Sequence, residues 1–540
     1  MSIAKKIFIP TFVSVVVGIL LYFFFLPAIN LTAPSFWFYI FCILICGFIT
    51  AIILDEVDAT FGIDDVDDIS VPTWIFGSAS VLVALMLALG TLFSCSMFNA
   101  NTYYKSLKVT DTTFEQEFVE LDWNTVPQID KASSSILGAR KMGTLVDKVS
   151  QYDVKELYTQ INMNGKPYRV SPLDYASLPK YFANKEDGIP GYVSVNCVSK
   201  EAEFIELKNP IYYSVNAVFS KDLKRHIRKD YPTLLFDSVN FEVDDEGNAW
   251  YIVPTFEYAS GLGCCKVPTG CLLVNPSTGE ITRYAKDKIP SWIDHSVDSD
   301  MAVDLVNSWG KYENGFLNTL FGQKNVKAST DGYGYVTIGD DLYLYTGITS
   351  KALDESNIGF ILVNLRTCEA KYFTMPSAEE YSAMGSAEGQ VQHLGYDSTF
   401  PILVNVDGNP TYFLSLKDNA GLVKKYAMVS VENIQQVVVV DSNLGVEHLT
   451  EEYLKLIATG VTPITGEEET LNITIKEIYT TIIEGNMHYY IVDETNTLYI
   501  ANISTSMEIL PLLKVEDKIT VTGVKTTKYF NVSNINTTNE

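Results

Sequence analysis

Gly270-Cys-Leu-Leu-Val274-Asn275-Pro-Ser-Thr278-Gly-Glu280-Ile281-Thr-Arg283 decides how the larger part of this 540-residue chain is read. A β-forming run ends in Val274 and Asn275, a hydroxyl residue follows three positions later, and Glu280 comes two after that. Asn and Thr side chains close turns by bonding to backbone amides, so the stretch predicts two antiparallel strands joined by a tight turn. The same frame recurs without gaps at Gly191–Phe204, with Val195, Asn196, Ser199 and Glu201. It recurs again at Gly359–Tyr372, with Val363, Asn364, Thr367 and Glu369. A fainter copy begins near Tyr426, where Val429-Ser430 stands in place of Val-Asn.

Each hairpin follows another strong strand. Ser238–Pro254 carries a turn at Asp244-Asp245-Glu246-Gly247-Asn248, Gly334–Gly347 turns at Gly339-Asp340, and Pro410–Leu416 follows Asp407-Gly408-Asn409. Helical stretches are expected between them at Lys221–Tyr231, at Met301–Phe321 and, interrupted by Gly385 and Gly389, at Ser377–His393. The Met301–Phe321 stripe is Met301, Leu305, Trp309, Tyr312, Phe316 and Leu320. Units of this kind bury their faces against their neighbours. The phrase Leu273–Thr282, preceded by a helix and a strand, resembles the hairpin of PepSY domains. That resemblance covers about residues 180 to 450 and implies small α+β modules of bacterial envelope proteins, tied to peptidase inhibition or regulation. Phe219–Pro232 and Ser386–His393 resemble segments of large uncharacterised membrane proteins of Gram-positive bacteria, which implies a surface location.

The first 95 residues are of another kind. Apolar runs at Ile7–Ile29, Phe36–Leu54 and Val71–Phe93 are each about as long as the roughly 20 residues that cross a hydrocarbon core. None holds a charge, and Phe36, Trp37, Tyr39 and Trp74 sit at interfacial positions. A cleaved signal peptide, with small residues at Ala28 and Ala33, is the competing reading of the first run. Lys5 and Lys6 place the N-terminus in the cytoplasm by the positive-inside rule, so three spans export the rest. The acidic loop holding Asp64, Asp65, Asp67 and Asp68 lacks the spacing and closing Glu of an EF-hand and reads as a solvated turn.

After a short helix and linker the composition turns to Ile, Thr, Val and Tyr. Strands are expected at Ile473–Ile483, His488–Val492, Thr497–Ile503, Lys518–Val524 and Tyr529–Val532, with a short helix around Met507–Leu513. The run Leu513–Gly523 resembles the end of many OB-fold barrels, and five strands with one helix fit that barrel. Residues 470–540 hold five Lys against eight acidic residues, which favours a ligand or protein partner over nucleic acid.

The expected architecture is therefore a membrane α-helical anchor of three spans plus exported α+β repeats, PepSY-like, and a C-terminal all-β OB-like barrel. Its divisions are an anchor over 1–95, a membrane-proximal segment over 96–175, the repeat body over 176–445, a helix and linker over 446–469, the barrel over 470–533 and a tail over 534–540.

The net charge of −26 repels phosphate backbones and anionic lipid surfaces, so no nucleic-acid partner is expected. The lipid bilayer contacts residues 7–93, and an envelope protein is the expected partner. Cys42 and Cys46 read as small apolar residues of the second span, and Cys95 stands at a membrane edge. Cys197, Cys264, Cys265, Cys271 and Cys368 are odd in number and lack zinc spacing.

Of the five His (His226, His295, His393, His448, His488), none lies at ligand spacing from another, so no metal or cofactor is expected. His226 with Lys224, Arg225, Arg228 and Lys229 forms a basic helix face. It is either solvated or docked on an acidic neighbour, even one within the chain. Glu388 with His393 is the one acid–His pair open to general acid/base work, and no nucleophile motif accompanies it. Gly261-Leu262-Gly263 lacks the third Gly of a dinucleotide loop.

No catalytic, cofactor or metal residue is assigned. The expectation is a non-catalytic, membrane-anchored extracytoplasmic binding or regulatory protein of the bacterial cell envelope. A carboxylate-based envelope hydrolase and a structural component of an envelope or phage assembly stand as alternatives.

Overall fold

The computed structural model describes residues 3–60, 70–154, 158–350, 356–458, 469–483, 486–506, 508–525 and 529–537. The acidic residues Asp64–Asp68 lie outside them, as does most of the expected linker.

Three helices, α1 (Ile3–Phe25), α2 (Pro34–Thr60) and α3 (Val71–Ser94), are long and apolar enough to cross a membrane. Helix α1 stops at Phe25, short of the expected Ile29. Pro27 disfavours the α conformation at Leu26, whose φ is +48°. Near their far ends Lys6 and Asp55 approach to 3.6 Å, and Asp55 also accepts a hydrogen bond from the Thr73 hydroxyl at 2.7 Å.

Four antiparallel meanders of four strands follow. Meander I is Thr159–Met163, Lys166–Tyr175, Ile189–Asn196 and Ala202–Ile211, with Tyr152–Val154 added beside the second strand. Meander II is Asn240–Val243, Ala249–Tyr258, Lys266–Val274 and Ile281–Ala285. Meander III is Gly334–Ile338, Asp341–Ser350, Ser356–Asn364 and Glu369–Ala378. It gains Lys327–Ser329 and, in parallel beside its last strand, Lys108–Asp111. Meander IV is Ile402–Val406, Asn409–Lys417, Val423–Ser430 and Val437–Asp441, with Asp397–Ser398 beside its second strand.

The sequence frame is the last hairpin of each meander. Val195 pairs with Ala202, Val274 with Ile281, Val363 with Ala370, and Val429 with Val437. Asn196 Oδ1 accepts from the Val198 and Ser199 amides, Asn275 Oδ1 from Ser277 and Thr278, and Asn364 Oδ1 from Arg366 and Thr367, all at 2.8–3.0 Å. In the fourth turn, one residue longer, the Ser430 hydroxyl takes the Asn433 amide at 3.2 Å. The frame glycine has a steric cause. A Cβ on Gly191, Gly270 or Gly359 would strike the carbonyl oxygen of Ile205, Tyr284 or Phe373 on the neighbouring strand.

A helix precedes each meander: Lys131–Gly143, Leu223–Asp230, Ser299–Tyr312 and Glu380–Gln390. The first three start at an aspartate N-cap, Asp130, Asp222 and Asp298, whose carboxylates take the amides of Ser133, Arg225 and Met301. The expected helix Met301–Phe321 is shorter. It ends at Tyr312, the chain turns at Gly315 with φ +81°, and a separate turn at Asn318–Gly322 leaves Leu320 and Phe321 exposed. Large buried side chains join the elements: Ile161, Val193, Phe241 and Tyr251 in one core, Met301, Leu305, Leu344 and Ile361 in another.

Body and membrane helices are stitched together. Ile29 donates to the Pro232 carbonyl at 2.8 Å, the Ser260 hydroxyl to the Ser94 carbonyl at 2.7 Å, and the Gly263 amide to Thr32 at 2.9 Å. Gly261 and Gly263, both at positive φ, press against Ser94 and Pro34 where a Cβ would not fit. The Gly-Leu-Gly motif is a clasp for the ends of α2 and α3.

A second compact unit takes in most of helix Gly445–Ala458 and the C-terminal strands. Glu469–Ile483, Asn486–Asp493, Leu498–Asn502, Phe530–Thr537 and Lys518–Lys525 close in that order into a barrel. The third and fifth strands in sequence pair in parallel, Tyr499 beside Phe530, and all other pairs are antiparallel. Ile475, Ile491, Leu510, Ile519 and Val521 fill it. The helix expected around Met507–Leu513 is a single 3-10 turn at Leu510–Leu512, and Met507 lies outside the described residues. The last strand continues through Asn534–Thr537, where a tail was expected.

Candidate functional site

Two connecting segments tie the meanders to one another, and between them lies a cavity of about 440 Å³. In the first, Pro127–Lys131, the Gln128 amide donates to the Cys197 carbonyl of meander I at 2.8 Å. The Gln128 carbonyl accepts from Ser415 of meander IV at 2.7 Å, and Asp130 pairs with Lys417 at 2.6 Å. In the second, Asp294–Ser299, the backbone amides of Asp294 and His295 donate to the Glu242 carboxylate of meander II at 3.0 and 2.9 Å. The Asp294 carboxylate accepts the Asn162 amide of meander I at 2.6 Å, and Ser296 donates to Leu365 of meander III at 3.1 Å. The cavity walls therefore come from all four meanders: Gln160 and Arg169, Asn240, Tyr333 and Tyr335, then Phe400 and Phe413.

Arg169 is 9 % exposed. Its Nη2 donates to Gln160 Oε1 at 2.7 Å, and its Nε has no partner. Ion pairs among the described residues take up Arg366, held by Asp341 at 2.7 Å, but bring no carboxylate to Arg169. The amide nitrogen of Gln160 is also buried and unpartnered. Beside them His295 Nε2 lies 2.7 Å from the Gln160 carbonyl, which can only accept, so Nε2 carries the proton. Burial drives the His295 imidazole down to about 4, helped by the Arg169 charge, and it is neutral at physiological pH. Burial raises the Tyr333 and Tyr335 phenols, which remain protonated. The acids on the cavity are Asp130, already paired, and Asp298 and Asp300 at the start of Ser299–Tyr312; Lys131 is its exposed cation.

Behind this wall Glu242 and Asp294 are fully enclosed. Burial pushes the Glu242 carboxyl up to about 7 against the pull of its two amide donors. It also raises Asp294 well above the ordinary carboxylate range, with the Glu242 charge adding to the effect. Both spend oxygens on backbone amides, so they hold the connecting segment rather than face the cavity.

The sequence candidates fall elsewhere. The basic helix is only partly solvated: Lys224 and Lys229 are exposed, while Arg225, His226 and Arg228 are engaged within the chain. Arg225 donates to the Phe23 carbonyl at 2.7 Å and stacks 4.3 Å from the Phe23 ring. Lys224 reaches the Phe25 carbonyl at 3.4 Å and His226 bonds the Gly279 carbonyl at 2.7 Å. Lys224 and Arg225 meet backbone carbonyls at the C-terminal end of α1, where the helix dipole favours cations, rather than the acidic neighbour expected. The Glu388 carboxylate accepts from the Ser398 amide and hydroxyl at 2.9 and 2.6 Å, while His393 is exposed in the turn Gln392–Leu394. All eight cysteines are unpaired, and burial pushes the Cys197 and Cys271 thiols up to about 11 and about 12. Among the described residues no group of three His, Cys, Asp or Glu could hold a metal. Arg169 carried no signal in Lys166-Pro-Tyr-Arg-Val170, because Gln160, His295 and Tyr335 reach it only through the fold.

Compared with known families and curated proteins, the chain matches no family model and no curated sequence.

Proposed function

We propose that this is a membrane-anchored binding or regulatory protein of the bacterial cell envelope, non-catalytic, whose ligand enters the cavity between the meanders. The observation that carries this reading is a buried arginine, with no carboxylate partner among the described residues, on a cavity walled by four separate sheets. A buried cation without a counter-ion costs several kcal/mol, and such a cost is best explained where the missing partner is supplied from outside. Four helix-led meanders support the PepSY-like reading of the body. The barrel's strand order and its one parallel pair support the OB-like reading of the C-terminal unit, with an envelope protein as its partner. Lys5 and Lys6 put the N-terminus in the cytoplasm, and three spans leave the body outside. The clasp at Gly261–Gly263 and the Arg225 contact to α1 give a bound body a firm mechanical connection to the spans.

Orientation is tested on intact cells with a membrane-impermeant thiol label and the Glu246→Cys variant, at an exposed hairpin turn. Labelling above the wild-type level is expected. Labelling only after lysis would place the body in the cytoplasm and remove the envelope role. Capture of a defined envelope protein from detergent extracts supports the partner, and a monomer with none counts against it.

A further inference from the structure

We propose that the cavity binds a free α-amino acid or short peptide, with the ligand carboxylate on Arg169 and Gln160 and its ammonium group towards Asp298 and Asp300. This rests on the binding role above and names its ligand class. Two residues of the wall, bonded to each other through Arg169 Nη2 and Gln160 Oε1, each carry a buried unpartnered donor, Arg169 Nε and Gln160 Nε2, and are 9 % and 3 % exposed. A carboxylate has two oxygens with about four acceptor sites and matches a guanidinium fork bidentately. Among the described residues no carboxylate takes that place, although Arg366 shows how the fold supplies one: Asp341 accepts from its Nε and Nη2 at 2.7 and 2.9 Å.

The groups around Arg169 suit an anion that enters from outside. His295 is held as a neutral ring by the Gln160 carbonyl, and its edge-on contact with Tyr335 has centroids 5.7 Å apart. The Tyr335 hydroxyl is engaged by Ser299 at 2.9 Å. His295 and Tyr335, the groups of this wall among the described residues, are uncharged. Asp298 and Asp300 make the other charged region of the cavity. The Asp298 carboxylate takes the Met301 amide only loosely, at 3.2 Å, and Asp300 is exposed. A ligand bearing one negative and one positive end answers both regions, where phosphate or a simple carboxylate answers one. The remaining wall is aromatic, with Tyr333, Phe400 and Phe413, and accepts side chains of varied shape. A volume of about 440 Å³ falls in the ~300–1,000 Å³ span of small-molecule sites.

The test uses the full chain in lipid nanodiscs, with thermal unfolding and calorimetric titration against a fixed panel. The panel holds L-amino acids, di- and tripeptides, the same peptides amidated at the C-terminus, N-acetylated amino acids, acetate, inorganic phosphate and a neutral sugar. Free amino acids or peptides are expected to bind. Amidation, N-acetylation and Arg169→Gln are each expected to weaken binding by at least about tenfold, the scale of one charged hydrogen bond. Arg169→Lys, which keeps the charge without the fork, should fall between. Cooperative unfolding of both variants shows that they are folded. Phosphate or acetate binding as well as the zwitterions through Arg169 overturns the ammonium half and therefore the proposal, while the binding role stands. Binding that ignores Arg169 overturns it too. No binding by any member of the panel overturns it outright, and partner capture then judges the wider role on its own.

Discussion

Arg228 and Arg169 are both buried, 3 % and 9 % exposed, and both leave Nε without a partner, yet the chain treats them differently. Arg228 Nη1 donates to the carbonyls of Tyr231, Pro232 and Leu234, at 3.2, 3.4 and 2.6 Å, and its guanidinium lies 4.6 Å from the Phe236 ring centre. The turn after its helix is folded around it. Arg169 has the Gln160 carboxamide oxygen at 2.7 Å and the Cys197 thiol beside it, and it borders a cavity where Arg228 has a ring. A buried cation surrounded by the chain's own acceptors is a structural clamp, whereas one short of acceptors at the border of a cavity is a group suited to a ligand. The cost of the second kind must be recovered when the ligand arrives.

The largest expected effect separates the two directly. Arg228→Met would take the donor from the Leu234 carbonyl and one of two donors from the Tyr231 and Pro232 carbonyls, which keep the Leu234 and Ile29 amides, and should lower stability by about 2–3 kcal/mol without altering the cavity. Thermal unfolding of the variant, with ligand titration on whatever remains folded, checks both halves.

A second expectation concerns the wall behind Arg169. The Glu242 and Asp294 carboxyls sit above their ordinary range in the folded chain because burial disfavours their charge. The unfolded chain therefore releases these protons at lower pH than the folded one. The Glu242 contribution to stability is complete below about pH 4.5, the ordinary Glu range, and is lost as pH rises through about 7, and Asp294 acts in the same direction. The unfolding midpoint should fall by a few degrees between pH 5 and pH 8, and the Glu242→Gln/Asp294→Asn double variant should flatten that slope. An unchanged slope would mean that the segment carrying His295 is held in some other way.

The smallest effect tests the scaffold. Asn275→Ala removes the acceptor for two turn amides and should cost about 1–2 kcal/mol by denaturant unfolding, with ligand affinity unchanged.

Much of the scaffold was legible because it is written locally. The spans are charge-free windows, and the Asn196, Asn275 and Asn364 turns bond within three residues of themselves. What the sequence hid depends on distance along the chain. Lys108–Asp111 finds its parallel partner at Glu369–Tyr372, and the basic helix finds α1 some two hundred residues earlier. The apolar spacing through Leu320 suggested one long helix, but Gly315 breaks it and the last turn presents Phe321 outward. The candidate site is wholly of this non-local kind. Gln160, Arg169, His295 and Tyr335 come from two meanders and one connector, and no spacing links them.

The most direct test of the central claim is the stability of Arg169→Met without ligand, measured in nanodiscs beside the wild type and Arg228→Met. If Arg169 is an unspent binding group, removing its buried charge leaves the unfolding midpoint unchanged or raises it, while Arg228→Met lowers it sharply. If Arg169→Met lowers the midpoint as much as Arg228→Met does, Arg169 is a second structural clamp and the cavity loses its claim to be the binding site.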